Sequence, residues 1–244
     1  MAREQRRRPP VQQHQKRRAP RDDTPERPSA HLSDDIVREL KATARPGKGE
    51  ILVKVFSEAA AAFMDEDYDE AIRLGEQAKH IALRSVAARE LLGLAYYRAG
   101  KWSEAAKELA AFRRLSGSTE QNPVLADAYR AMGKPDKALD YCREIDRRRV
   151  DEAVYYEGAI VGAGALADMD RVGDAITLLE QLELRPAHPA EHHLRTWYVL
   201  GDLLQRKGRF TQAKEWFEAV ASADPDLTDA AARARKLSTG PSGN

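Results

Sequence analysis

The chain has 244 residues, 42% of them hydrophobic, which is enough to bury the core of one domain or of two small ones. Its single cysteine, Cys142, excludes an internal disulfide and favours a reducing compartment. No apolar stretch follows the basic start at Arg6–Arg8, and the apolar run at 159–167 is far shorter than the roughly 20 residues of a membrane-spanning helix. We therefore expect neither a secretory signal nor a membrane span, and we predict a cytoplasmic protein.

The formal net charge of +1 hides an uneven distribution of charge. Of the 40 Lys/Arg and 39 Asp/Glu, residues 1–30 hold nine and four, a net charge of +5, which leaves −4 for the rest of the chain. Pro, Gln and Arg dominate this first segment, and Val11 is its only large aliphatic residue after Met1. Because so little apolar surface can be buried there, we predict a disordered basic arm.

The cations of the arm could neutralise phosphates and release their counterions, which gives sequence-independent, salt-dependent binding to a polyanion. The arm has no Phe, Tyr or Trp, so it offers no stacking to bases. We consider a nucleic acid or the ribosome surface as its partner, with a merely solvated tail as the alternative. The predicted polyanion-binding residues are Arg3, Arg6, Arg7, Arg8, Lys16, Arg17, Arg18 and Arg21.

Ordered structure is predicted from His31, where Ser33 is a good N-cap for a helix that ends before Arg45-Pro46-Gly47. From there to Pro225, helices alternate with short turns. An alanine recurs at the start of the second helix of each pair, at intervals of 34, 33, 37 and 38 residues: Ala71, Ala105, Ala138, Ala175 and Ala213. We divide the chain into a disordered arm (1–30), an N-terminal helix and linker (31–49), a helical array (50–225), a capping helix (226–238) and a flexible tail (239–244).

The stretch from Trp197 to Pro225 carries the most specific pattern in the chain. It resembles a tetratricopeptide repeat (TPR), whose pattern runs Trp-x2-Leu-Gly-x2-Tyr and then Ala, Phe, Ala and Pro at fixed intervals. Leu204 replaces the Tyr of that pattern and Val220 replaces its second Ala, both mild departures. The matching residues are Trp197, Leu200, Gly201, Ala213, Phe217 and Pro225.

The other alanine-marked segments match the pattern less closely. The second repeat is good, and the fourth is the weakest because Gly158, Gly162 and Gly164 crowd its first helix. The resemblance implies an all-α solenoid of about five helix-turn-helix repeats, with an N-terminal helix, a C-terminal capping helix and no strand.

The TPR resemblance also implies a concave surface made by the first helix of each repeat. Aromatic anchors mixed with charges suit an extended peptide or a partner helix, although any one of these residues could instead pack inside the solenoid. The predicted partner-binding residues are Phe56, Phe63, Glu90, Leu94, Tyr97, Arg98, Asp127, Arg130, Asp168, Tyr198, Asp202 and Arg206.

The sequence offers little catalytic chemistry. His188-Pro-Ala-Glu191-His192 matches the H-x-x-E-H string of inverted zinc peptidases, which needs both histidines on one face of a continuous helix. Pro189 is better suited to the first turn of a helix that begins here, with His188 at its cap. We therefore predict a capping loop at this string, and no catalytic residues, metal or cofactor.

Taken together, these features predict a non-enzymatic cytoplasmic adaptor that holds a segment of a protein partner in the TPR groove, with the basic arm as an electrostatic tether. The alternative is a nucleic-acid or ribosome-associated protein in which the arm carries the main binding activity. A hydrolase that uses His188, Glu191 and His192 ranks last. We expect neither a membrane partner nor a small-molecule substrate.

Overall fold

A computed structural model describes residues 28–239, and in this range the chain forms twelve helices and no strand. The predicted polyanion-binding residues, which lie between Arg3 and Arg21, fall outside the described residues. The helices are α1 (Asp34–Thr43), α2 (Gly49–Met64), α3 (Tyr68–Ile81), α4 (Val86–Arg98), α5 (Trp102–Ser116), α6 (Asn122–Ala131), α7 (Pro135–Arg143), α8 (Glu152–Asp168), α9 (Val172–Glu180), α10 (Glu191–Arg206), α11 (Phe210–Ala223) and α12 (Ala230–Thr239).

Five helix pairs follow one another, α2 with α3, α4 with α5, α6 with α7, α8 with α9 and α10 with α11. Each pair packs mainly on the pairs beside it, and the buried residues form successive clusters along the chain. This arrangement is an α-solenoid, in which one repeat cannot bury its apolar faces without its neighbours. The predicted all-α fold with about five repeats is confirmed.

The turn inside each pair has the same backbone geometry. Its central residue has a positive φ, between 61° and 74°, and the amide of the next residue donates to the carbonyl five positions back at 2.8–2.9 Å. Both features are typical of a helix end with a left-handed residue. Glycine occupies this position in three turns, and Glu66 and Asp170 adopt the left-handed conformation in the other two.

Small residues let the two helices of a pair approach closely. The five recurring alanines, from Ala71 to Ala213, are all fully buried. On the facing helix, a Cβ added to Gly93 would lie 2.7 Å from Leu109, and one added to Gly201 would lie 2.9 Å from the ring of Phe217. The space that these glycines leave is therefore filled by large side chains of the second helix.

The first helix, α1, closes the N-terminal end of the solenoid. Ser33 caps α1 by accepting from the amide of Ile36 at 3.5 Å, as predicted. The Glu39 carboxylate accepts from Ser85 Oγ at 3.0 Å and from the amide of Val86 at 2.7 Å, at the start of α4. A carboxylate at a helix N-terminus satisfies free amides and complements the helix dipole, so Glu39 fixes α1 onto the second repeat.

One carboxylate lies inside the solenoid, where α3, α4 and α5 meet. Glu108 is 2% exposed and accepts from Lys79 Nζ at 3.1 Å and from Arg89. Arg89 also donates to the carbonyl of Leu83 at 2.9 Å. Loss of this carboxylate would remove the one charge that Lys79 and Arg89 share, so the network ties the first repeat to the second.

The structure corrects two sequence-based details. Helix α10 begins at Glu191 with Ala190 as N-cap, so Pro189 lies before the helix and His188 is not its cap. The interaction that stabilises this helix start is instead made by His193, whose Nδ1 accepts from the Ala190 amide at 3.1 Å. The capping helix α12 begins at Ala230, a few residues later than expected, because Asp224 and Thr228 form side-chain turns ahead of it.

We predict that Gly201→Ala lowers the free energy of unfolding by about 1–3 kcal/mol, since the new methyl group would press on the fully buried Phe217 ring. Gly173→Ala is the matched control: it is also a helical glycine, but nothing lies within 4 Å of an added Cβ. The free energy of unfolding of this control should be about 0.5–1 kcal/mol higher than that of the wild type. Urea unfolding of both variants measures the difference, and equal effects would contradict the proposed close approach.

Candidate functional site

The first helices of the five repeats, α2, α4, α6, α8 and α10, pack against one another in a row. We call the surface of this row the first-helix face. Each first helix after α2 makes a hydrogen bond or an ion pair with the preceding first helix or, in the case of α4, with the turn that follows α2. These contacts form a polar ladder along the face.

In the N-terminal half, the ladder joins α4 to its two neighbours. Arg98 pairs with Glu66 at 3.6 Å, in the turn after α2. The amide of Gln121 donates to Glu90 at 2.8 Å, and the hydroxyl of Tyr97 donates to Asp127 at 2.7 Å. Glu90, Tyr97 and Asp127 are only partly exposed, so these contacts are sheltered from bulk water.

In the C-terminal half, Arg130 lies between two carboxylates, donating to Asp127 at 2.9 Å and to Asp168 at 2.9 Å. Its guanidinium passes directly over Gly164, where an added Cβ would lie 2.5 Å from Arg130 Cζ. The glycine that weakens the fourth repeat in sequence therefore makes room for this ion pair between α6 and α8. Arg195 of α10 pairs with Glu157 of α8 at 3.0 Å.

The ladder continues onto the capping helix. Arg233 of α12 donates to Asp202 at 2.7 Å and lies 4.3 Å from the centre of the Phe217 ring. Tyr198 donates to Asp229 at 2.6 Å. The chain itself thus contacts Tyr198 and Asp202, and a partner at this end would meet α12 as well.

The remaining predicted partner-binding residues have different surroundings. Phe56 is 5% exposed and belongs to the core around Leu52, so it contributes packing rather than surface. Phe63 and Leu94 are half-buried against neighbouring core clusters. Arg206, at the end of α10, is exposed. The mixture reflects the helical period, because one row of positions alternates between core and surface.

Burial raises the pKa of two carboxyl groups on this face. The Glu157 carboxyl is raised chiefly by desolvation, with Asp127 adding repulsion and Arg195 opposing both. Desolvation also raises the pKa of Glu90, although the hydrogen bond from Gln121 works against it. The pKa of Tyr97 is raised by burial and by its bond to Asp127, so its hydroxyl stays protonated and donates. The centre of the face therefore holds carboxylates whose ionisation is costly.

A cavity of about 280 Å³ lies elsewhere, between α7, α8 and α9. The two shorter helices that line it, α7 and α9, have nine residues each, against 17 in α8. Cys142 lines it beside Gly158 and Leu178, and burial raises the pKa of the thiol to about 12. The thiol is thus protonated and a poor nucleophile at neutral pH.

The H-x-x-E-H string does not form the arrangement that its metal chemistry requires. His188 lies in the loop before α10, while Glu191 and His192 lie in the first turn of that helix, so the two histidines do not share one continuous helix. Burial lowers the pKa of His192.

Among the twelve helices of residues 28–239, none combines the length and hydropathy that crossing a membrane requires.

We predict that Glu157→Gln gains stability relative to the wild type as the pH rises from about 4 to 7. A carboxyl whose pKa is raised in the folded state favours folding fully below the unfolded value of about 4.3 and loses that contribution as it ionises. Urea unfolding at several pH values measures the difference. Glu104→Gln, an exposed position on α5, is the control and should stay within about 0.5 kcal/mol throughout. A difference for Glu157→Gln that does not change with pH would contradict the argument.

Comparisons with known proteins agree with this architecture. The family model described as "Tetratricopeptide repeat" matches residues 194–227. No curated protein is a detectable relative in sequence.

Three solved structures are similar over most of their own length. YrrB, a TPR protein with an unusual peptide-binding site, has a TM-score of 0.52 at 18% identity, covering 76% of this chain and 92% of its own. A TPR protein of Thermus thermophilus has a TM-score of 0.56 at 18% identity, covering 76% and 98%. A putative kinesin light chain of Podospora anserina with TPR-like repeats has 0.57 at 22%, covering 73% and 98%. Residues 194–227 thus match a single tetratricopeptide repeat, and the similar solved structures share the repeat fold of the chain.

Proposed function

We propose that this protein is a non-enzymatic adaptor that holds a peptide or a helix of a protein partner against the first-helix face. The observation that carries the proposal is the polar ladder, which runs from the turn after α2 through α4, α6 and α8 to α10 and consists of paired polar and charged groups that are partly or fully exposed. The tetratricopeptide fold supports a protein-interaction role, and one protein of similar structure, YrrB, has a peptide-binding site. The lack of an internal disulfide, with Cys142 as the only cysteine, is consistent with a cytoplasmic location.

The charges at the centre of the face favour a basic segment as the ligand. Asp127 and Glu157 repel each other there, and the pKa of Glu157 is raised by burial as well. A Lys or Arg side chain of a partner would offset both effects at Glu157, because a nearby cation favours the ionised form of that carboxyl. The protein thus retains at Glu157 a carboxyl group whose ionisation is unfavourable in the free fold, as binding sites often do.

The basic arm adds a second, electrostatic contact with a polyanion such as RNA or the ribosome surface. The support is its sequence alone, with eight cations against a single acid, Glu4, over residues 3–21. Ala30 hydrogen bonds with Ser57 of α2 in both directions, at 3.0 Å and 2.6 Å. The arm is therefore best removed at residue 27, which keeps this contact.

The groove is tested with peptides selected from a random display library on the full chain and then titrated by calorimetry. We expect the selected peptides to contain Lys or Arg. The double variant Asp127→Asn/Glu157→Gln should bind them about 10-fold more weakly or worse, since each change removes a charge without removing the acceptor oxygen. Glu218→Gln, exposed on α11, is the control and should bind as the wild type does. If the double variant bound the selected peptides as tightly as the wild type, binding at the first-helix face would be contradicted.

The arm is tested separately with poly(U) RNA and a chain that lacks residues 1–27. We expect the full chain to bind with a logarithmic salt slope of about −0.7 for each phosphate neutralised, and the shortened chain to lose this binding. The affinity of the first-helix face for the selected peptides should be the same in both chains. RNA binding that survives the deletion, or that high salt does not weaken, would contradict the tether.

A further inference from the structure

Three metal-ligating side chains meet where the first turns of α8 and α10 come together. Glu152 is the first residue of α8, and His192 and His193 are the second and third residues of α10. One ligand atom from each lies within 4.8 Å of the others. The three residues come from helices of two successive repeats, so the cluster exists only in the folded solenoid.

The side chain of His192 has an unusual environment. Its Nε2 is enclosed, and no hydrogen-bond partner for it exists within residues 28–239. Glu152 Oε2 lies 3.8 Å from it, too far for a hydrogen bond. That separation is close to the distance of about 3.3 Å between two ligands that each lie about 2.0–2.1 Å from a tetrahedral zinc ion. The gap thus suits a shared ion better than direct contact.

The two oxygens of the Glu152 carboxylate face different groups. Oε1 accepts from Arg147 at 3.3 Å, whereas Oε2 is the atom that faces His192. The side chain is half exposed, at 50%, and lies in the first turn of its helix, so it can move the short distance that coordination needs. Its exposure also leaves solvent access for a water as fourth ligand.

Both imidazole rings are held in place by Tyr156, which is 1% exposed. The ring centres of His192 and His193 lie 4.7 Å and 4.9 Å from that of Tyr156, and 4.1 Å from each other. The Tyr156 hydroxyl donates to the carbonyl of Glu183 at 3.0 Å, which fixes the ring. The histidines are therefore preorganised on one side of the cluster.

Coordination by His193 has one cost. Its Nδ1 accepts from the Ala190 amide, so the neutral ring carries its proton on Nε2. When a metal binds Nε2, that proton moves to Nδ1, which then no longer accepts a hydrogen bond. The Ala190 amide must donate to water instead. Ala190 is exposed at the start of α10, where water can replace the lost acceptor.

We propose that Glu152, His192 and His193 form a binding site for a divalent transition-metal ion, with Zn²⁺ as the ion that best fits one carboxylate and two imidazoles. The bound ion would clamp the start of α8 to the start of α10 and so stiffen the junction between the fourth and fifth repeats. The site is distinct from the H-x-x-E-H string, with which it shares only His192, and it is independent of the proposed groove.

The test is a titration of the full, metal-stripped chain with ZnSO₄, followed by calorimetry and by the unfolding temperature. We expect one ion per chain and an unfolding temperature that rises with Zn²⁺. Glu152→Gln and His192→Asn should each lower the affinity at least 10-fold and abolish the rise. His188→Asn, a loop histidine outside the cluster, is the matched control and should bind as the wild type does.

Glu152 is half exposed, so its variant keeps the test informative even if His192→Asn fails to fold. Titration with Co²⁺ gives a second measurement, and we expect d–d bands typical of nitrogen and oxygen ligands without a thiolate charge-transfer band. Zn²⁺ affinity unchanged in Glu152→Gln, an equal loss in His188→Asn, or a thiolate band from Cys142 would each overturn the proposal. Failure of the wild type to bind Zn²⁺ would overturn it as well.

Discussion

The two helices of each repeat approach one another closely because small residues lie between them. Gly93 admits Leu109 and Gly201 admits the Phe217 ring, and the recurring alanines of the second helices are fully buried. Because the helices of a pair are this close, the left-handed turns between them can be three residues long. The repeats then stack in one direction, and their first helices form a continuous row.

The row explains why polar contacts between neighbouring repeats are arranged as a ladder. Packing uses the side chains that face the second helices, and the positions left over on the first helices face one another across successive repeats. Tyr97 and Asp127 meet in this way, as do Arg130 and Asp168. These contacts orient the charges of the face, but their partly exposed groups can still exchange an internal partner for an external one. Structure and proposed function therefore rest on different faces of the same helices.

Much of the fold could be predicted from the sequence because each repeat carries its pattern within a short stretch of chain. Gly100 and Gly208 mark turns, and the spacing of Ala71, Ala105 and Ala138 gives the period. The site was harder to predict, since a helical row alternates between core and surface and Phe56 fell on the core side. The histidine cluster was missed altogether: the sequence suggested His188 and Glu191, but the carboxylate that faces His192 is Glu152, in the preceding repeat. No local pattern links these two positions.

We propose that the first-helix face, and not the second helices of the repeats, binds the partner. Hydrogen exchange with and without a selected basic peptide tests it most directly, because each backbone amide reports its own protection. We expect slower exchange in α4, α6 and α8 on binding, with the exchange of α5, α7 and α9 unchanged. Protection confined to α7 and α9, which border the cavity beside Cys142, would contradict it.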